Sequence, residues 1–88
     1  MSDSSIIESL FSRLLPALSD VFSPSEIAEV SVFVDVGEYG LALDTVVGIF
    51  VEEGKVAEED VIFLVQSLAT AMDLSSAEYS ARLFVGRK

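Results

Sequence analysis

Cysteine, histidine and tryptophan are all missing from this chain. Without cysteine there is neither a disulfide framework nor a thiolate metal site. Without histidine as well, the common zinc sites and the Cys–His and Ser–His–Asp nucleophile systems cannot be assembled. Bases are scarce: five Lys and Arg stand against fifteen Asp and Glu, for a net charge of −10. No apolar run reaches the ~18 residues of a membrane span. The first residues, Met1-Ser2-Asp3-Ser4-Ser5, are acidic where a secretory leader would be basic. These absences lead to the expectation of a soluble, cytosolic protein.

What is present is apolar and unevenly charged. Apolar residues make up 51% of the chain before its five glycines are counted, against ~45–50% with glycine counted in ordinary domains. A chain of 88 residues holds one domain with a limited interior. Some of that apolar surface is therefore expected outside the core, as a protein interface or a homodimer contact. Residues 20–60 hold eleven acids and the single base Lys55, so they carry the whole −10, and the remainder sums to zero. Such a field repels nucleic acid and anionic membranes and favours a basic partner.

Helical periodicity dominates. Ile6, Ile7, Leu10, Phe11, Leu14, Leu15, Leu18, Val21 and Phe22 form one broad stripe. Pro16 lies inside it and removes a backbone bond to Ser12, which predicts a kink or short break with the stripe continuing beyond. Ser23-Pro24-Ser25-Glu26 has the residues of a capping box with proline at the first helical position. Over residues 30–36, strand and helix compete. Val30, Val32, Val34 and Val36 alternate as in a half-buried strand, while Ile27, Val30, Phe33 and Val34 would line a helix. The cap at one end and Gly37 at the other favour helix.

Gly37 suits the residue just past a helix end, and Tyr39, Leu43, Val46, Val47 and Phe50 then recur at helical spacing. A third helix is predicted from about Glu38 to Glu53, closed by Gly54. Gly48 inside it weakens the helix by about 1 kcal/mol against alanine, which implies a close approach by another backbone. Three acids, Glu58, Glu59 and Asp60, open a fourth helix and complement its dipole. Val61, Leu64, Val65, Leu68 and Met72 form its inner stripe, which Ile62 and Phe63 widen. Ser75 or Ser76 caps a short fifth helix over Ala77–Leu83, before the basic end Gly86-Arg87-Lys88. The expected architecture is all-α, a compact antiparallel bundle of four helices plus a short fifth. It forms one domain over 1–88, frayed at 1–4 and 85–88.

The clustered carboxylates have an ordinary explanation as solvated charges and dipole partners, since acid–base work needs a desolvated pocket. No stretch has the ligand spacing of an EF-hand, and no cofactor is expected. The segment after Gly40 is similar to an acyl carrier protein, but Leu41-Ala42-Leu43 stands where that family has its modified serine. Gly37-x-Tyr39-x-x-Ala42-Leu43 resembles one tetratricopeptide helix, without a second copy at the ~34-residue period.

Asp35-Val36-Gly37-Glu38-Tyr39-Gly40-Leu41-Ala42-Leu43-Asp44, the acidic end Val51-Glu52-Glu53, and Ala69-Thr70-Ala71-Met72-Asp73-Leu74 resemble the small immunity proteins of the MafI type. These occur beside bacterial polymorphic and contact-dependent toxins. The resemblance covers Val34 to Leu74, and Gly-Glu-Tyr-Gly-Leu-Ala-Leu is its specific part. It implies a cytosolic antidote that binds a secreted toxin domain, a nuclease with a basic site, and blocks it. The acidic surface read from the residues agrees with such a partner. Asp35, Glu38, Tyr39, Asp44, Glu52 and Glu53 are the expected contact residues. Glu26, Glu58, Glu59 and Asp60 are set aside for caps and dipoles. The alternative from another class is a helical adaptor that dimerises through its surplus apolar surface.

Overall fold

A computed structural model describes residues 4–85, and among them there are five helices and no strand. They are α1 (Ser4–Leu18), α2 (Pro24–Asp35), α3 (Tyr39–Glu52), α4 (Glu59–Ala71) and α5 (Ser76–Val85). The frayed ends expected at 1–4 and 85–88 lie outside the described residues, except that Ser4 and Val85 are helical.

Helix α1 buries Ile7, Phe11, Leu14 and Leu18, one residue per turn of a 3.6-residue period. The predicted continuation past Pro16 is not what forms. The helix carries Pro16 within it and ends two residues later, at Leu18. The Ser19 hydroxyl donates to the Pro16 carbonyl at 2.7 Å, a side-chain bond that competes with further helix. The stripe instead runs into a turn, where the Phe22 amide donates to Leu18 O at 2.7 Å and keeps the Phe22 ring in the core.

Helix α2 opens on the expected capping box. Ser23 Oγ accepts from the Glu26 amide at 3.2 Å, and Glu26 Oε1 accepts from the Ser23 amide at 2.8 Å. The valine alternation does not become a strand. The chain stays helical to Asp35, and Val30 is buried while Val32 is exposed.

Three helices then end in the same way. After α2, Gly37 takes φ +79° while its amide donates to Val34 O and the Glu38 amide to Phe33 O. After α3, Gly54 takes φ +62°, with the Gly54 and Lys55 amides on Val51 O and Phe50 O. After α4 the left-handed residue is Asp73, φ 61°, with the Asp73 and Leu74 amides on Thr70 O and Ala69 O. Each is a Schellman motif, which uses up two of the helix's last free carbonyls and turns the chain back.

Helix α3 buries Ala42, Leu43, Val46, Val47 and Phe50. Gly48 corrects the sequence reading: a Cβ built there meets nothing within 4 Å, so no backbone approaches it. In α4, Ile62 joins the core but Phe63 stands 59% exposed, on the side away from the inner stripe. Glu59 and Asp60 lie in its first turn, and Glu58 is the cap residue without a side-chain cap bond. Ser75 Oγ accepts from the Glu78 amide at 3.2 Å and so caps α5. That helix is ten residues long, more than the short fifth expected. The strongest packing pairs α1 with α4, α4 with α5, and α2 with α3. The Phe22 and Phe50 rings, 5.0 Å apart, lie in the one apolar cluster that all five helices share.

Candidate functional site

The acidic stretch folds mainly into α2, α3 and the turn between them. The six residues expected to form its contact surface are distributed over separate places. Glu38 and Tyr39 stand at the start of α3, and Glu52 and Glu53 at its end. Fourteen residues at 1.5 Å rise put those ends about 20 Å apart, so they do not make one small patch.

Tyr39 is already engaged. Its hydroxyl donates to Glu8 Oε2 at 2.7 Å and its ring stacks on Phe11 at 6.1 Å, tying α3 to α1. The hydrogen bond to Glu8, followed by burial and the Glu8 charge, raises the phenol pKa above its ordinary value. With Ile7, Glu38, Met72 and Leu74, Tyr39 lines a shallow hollow at the corner. Asp44 is engaged too. It accepts from the Tyr79 hydroxyl at 2.6 Å and lies 3.8 Å from Arg82, whose guanidinium sits over the Tyr79 ring. Burial, then the bond to Asp44, pushes the Tyr79 phenol up to about 12. Both tyrosines thus act as phenol donors to carboxylates across helices.

Asp44 and Glu52 do meet in one place, an open groove of about 290 Å³ between α2 and α3. Glu29 joins them from α2, and the remaining lining comes from Leu41, Thr45, Gly48 and Ile49. No base lines it. Gly48 lines it without a side chain, and a Cβ there would meet nothing within 4 Å. Glu29 was not expected in the site. Its signal in the sequence was its place one turn after Glu26, on the polar side of a helix whose inner face is Ile27 and Val30. Asp35 and Glu53 are exposed and line neither hollow.

Glu29, Asp35, Glu38, Glu52 and Glu53 make no side-chain hydrogen bond or ion pair among the described residues. They are solvated carboxylates with their charge available at the surface. The one base of the segment, Lys55, is turned elsewhere. Its ammonium donates to Val21 O at 2.8 Å, lies 3.7 Å from Glu26 and sits 6.0 Å from the Phe22 ring centre. Among the described residues no three carboxylates converge as a metal site, and no helix is long and apolar enough to cross a membrane. The groove's chemistry suits cationic side chains: carboxylates on both walls, apolar stems between them and room at the base. No protein-family model, curated protein or solved structure matches the chain.

Proposed function

We propose that this chain is a non-enzymatic inhibitor, an immunity protein that binds the basic domain of a secreted bacterial toxin, a nuclease, in the cytoplasm. The observation that carries the reading is the acidic α2–α3 face. Glu29, Asp44 and Glu52 surround one groove that no base lines, within a segment that holds the chain's whole net charge. A nuclease holds phosphates with Lys and Arg, and an acidic face competes for those same groups. Long-range attraction speeds the encounter, and apolar contacts beside the charges, here Leu41 and Ile49, set the lifetime. The same field disfavours nucleic acid and anionic membranes as partners. In this reading the short connections set consecutive helices antiparallel, so that α2 and α3 present one continuous acidic face.

The test is co-expression with the toxin domain encoded beside this gene, in a sensitive cell. Survival is expected, and death with both proteins soluble overturns the reading. Glu29→Gln/Glu52→Gln/Glu53→Gln should lose protection while keeping its circular dichroism, and full protection by it would move the contact elsewhere. Glu38→Gln is the clean probe of the corner, because Tyr39 also holds the fold together. A second reading, a helical adaptor or dimerisation module, is favoured by a different feature, the exposed apolar side chains of α1 and α4.

A further inference from the structure

In the groove between α2 and α3 every polar side chain is an acceptor. Glu29, Asp44 and Glu52 line it as carboxylates, and Thr45 spends its hydroxyl hydrogen on the Leu41 carbonyl at 2.7 Å. The lining also holds a glycine that the fold does not need. Gly48 has neither a positive φ nor a neighbour that a Cβ would strike, yet it weakens α3 relative to alanine. Asp44, Gly48 and Glu52 stand at i, i+4 and i+8, so they form one row along the helix. The glycine is a notch in that row, one turn from each acid.

We propose that this notch receives one arginine side chain of the basic partner, laid over Gly48 with its guanidinium among the groove's carboxylates. On the reading above, in which the partner is a nuclease, the captured arginine is one that would hold phosphate. Hydrogen-bond sense selects the occupant. A guanidinium donates from every nitrogen and accepts nowhere, the complement of a lining whose polar side chains only accept. An anion or a neutral amide brings acceptors that find no side-chain donor there. Spread then selects arginine over smaller cations. Among the described residues no three carboxylates converge as a metal site, so a point charge, whether a metal ion or an ammonium, satisfies one wall at a time. A planar fork of donors reaches carboxylates on different sides. Asp44 already faces such a group, the Arg82 guanidinium that approaches it from α5 at 3.8 Å. Glu29 and Glu52 have no ion pair or side-chain hydrogen bond, and they carry the new contact. Leu41 and Ile49, also in the lining, flank the aliphatic stem. The close approach that a helical glycine invites is then made by the partner's side chain.

Backbone amide shifts of the isotope-labelled full chain, titrated with the blocked peptide acetyl-Ala-Ala-Arg-Ala-Ala-amide, test this without any toxin. The expected shifts saturate and are confined to the turn around Glu29 and to residues 44–52, and the lysine counterpart moves the same amides less. Gly48→Gln fills the notch without changing the charge and should abolish the shifts. Its urea midpoint should stay at or above that of the wild type, because glutamine is the better helix former. Glu29→Gln/Glu52→Gln should abolish the shifts as well. The proposal is overturned by the absence of shifts, by shifts spread over the whole acidic surface, by an equal response to lysine, or by shifts that survive Gly48→Gln. In the sensitive cell, Gly48→Gln should lose the protection that the wild type gives. A protecting Gly48→Gln overturns the arginine contact and leaves the toxin reading standing. A wild type that fails to protect sinks the toxin reading instead, and the titration alone then decides what the groove takes.

Discussion

At the scale of single residues, the left-handed positions are where the chain is most easily improved or damaged. Gly37 and Gly54 adopt positive φ without strain, whereas Asp73 adopts it with a Cβ, which an L-residue does only against a cost of roughly 1–2 kcal/mol. Asp73→Gly should therefore raise the unfolding free energy by up to about 1 kcal/mol, as measured by urea denaturation, and Gly37→Ala should lower it. Gly48→Ala acts in the opposite sense to a packed glycine. With open space around its Cβ the substitution should stabilise α3 by about 1 kcal/mol, and a loss would mean that the α2–α3 groove tolerates no filling. The two tyrosines give a pH signature. Both phenols are raised, Tyr39 first by its bond to Glu8 and Tyr79 first by burial and then by its bond to Asp44, so the midpoint of the tyrosinate absorbance change should lie above the ordinary value near 10. Because the folded-state pKa of Tyr79 is raised to about 12, its contribution to stability is complete below pH ~10 and fades as pH climbs through about 12. Asp44→Asn should move that half of the titration down only partway, since burial is the larger cause.

At the scale of elements, the caps decide where helices begin. Ser23→Ala removes the Glu26 amide's acceptor and should destabilise the fold by about 1 kcal/mol, detectable as a lower urea midpoint with an unchanged slope. Such caps were legible in the sequence because they are local: Ser23 and Glu26 lie three residues apart, and Gly37 acts on its own φ. The α1 stripe was legible for the same reason, and so was the choice of helix over strand at residues 30–36. What could not be read depended on distance or on direction within an apolar run. Val61 to Val65 are apolar throughout, so the pattern does not say which side Phe63 takes. Gly48 looked like a crossing point, yet the cost of a helical glycine carries no information about what lies outside it. The bonds that occupy two expected contact residues, Tyr39 to Glu8 and Tyr79 to Asp44, span 31 and 35 positions, and no periodicity reports them. Glu29 became a site residue only when α3 brought Asp44 and Glu52 alongside it.

At the scale of the whole molecule, charge separates two behaviours of one surface. If the proposed basic toxin domain is the partner, its attraction to the acidic face is screened by salt, so the association rate measured by stopped flow should fall steeply with ionic strength while dissociation changes little. An unchanged association rate would remove steering as the mechanism. The structure gives that field an internal weak point. Apart from Lys55, nothing basic lies between residues 20 and 60, and Lys55 reaches back 34 positions to the Val21 carbonyl. The segment that bears the negative charge is thus a loop fastened by its own lone cation, a clasp made from the only counter-charge within it. Acylation of that amine would deepen the field by one charge and unfasten the loop in the same step. The strength of the field and the closure of the segment are therefore not independently tunable: strengthening the one through Lys55 loosens the other.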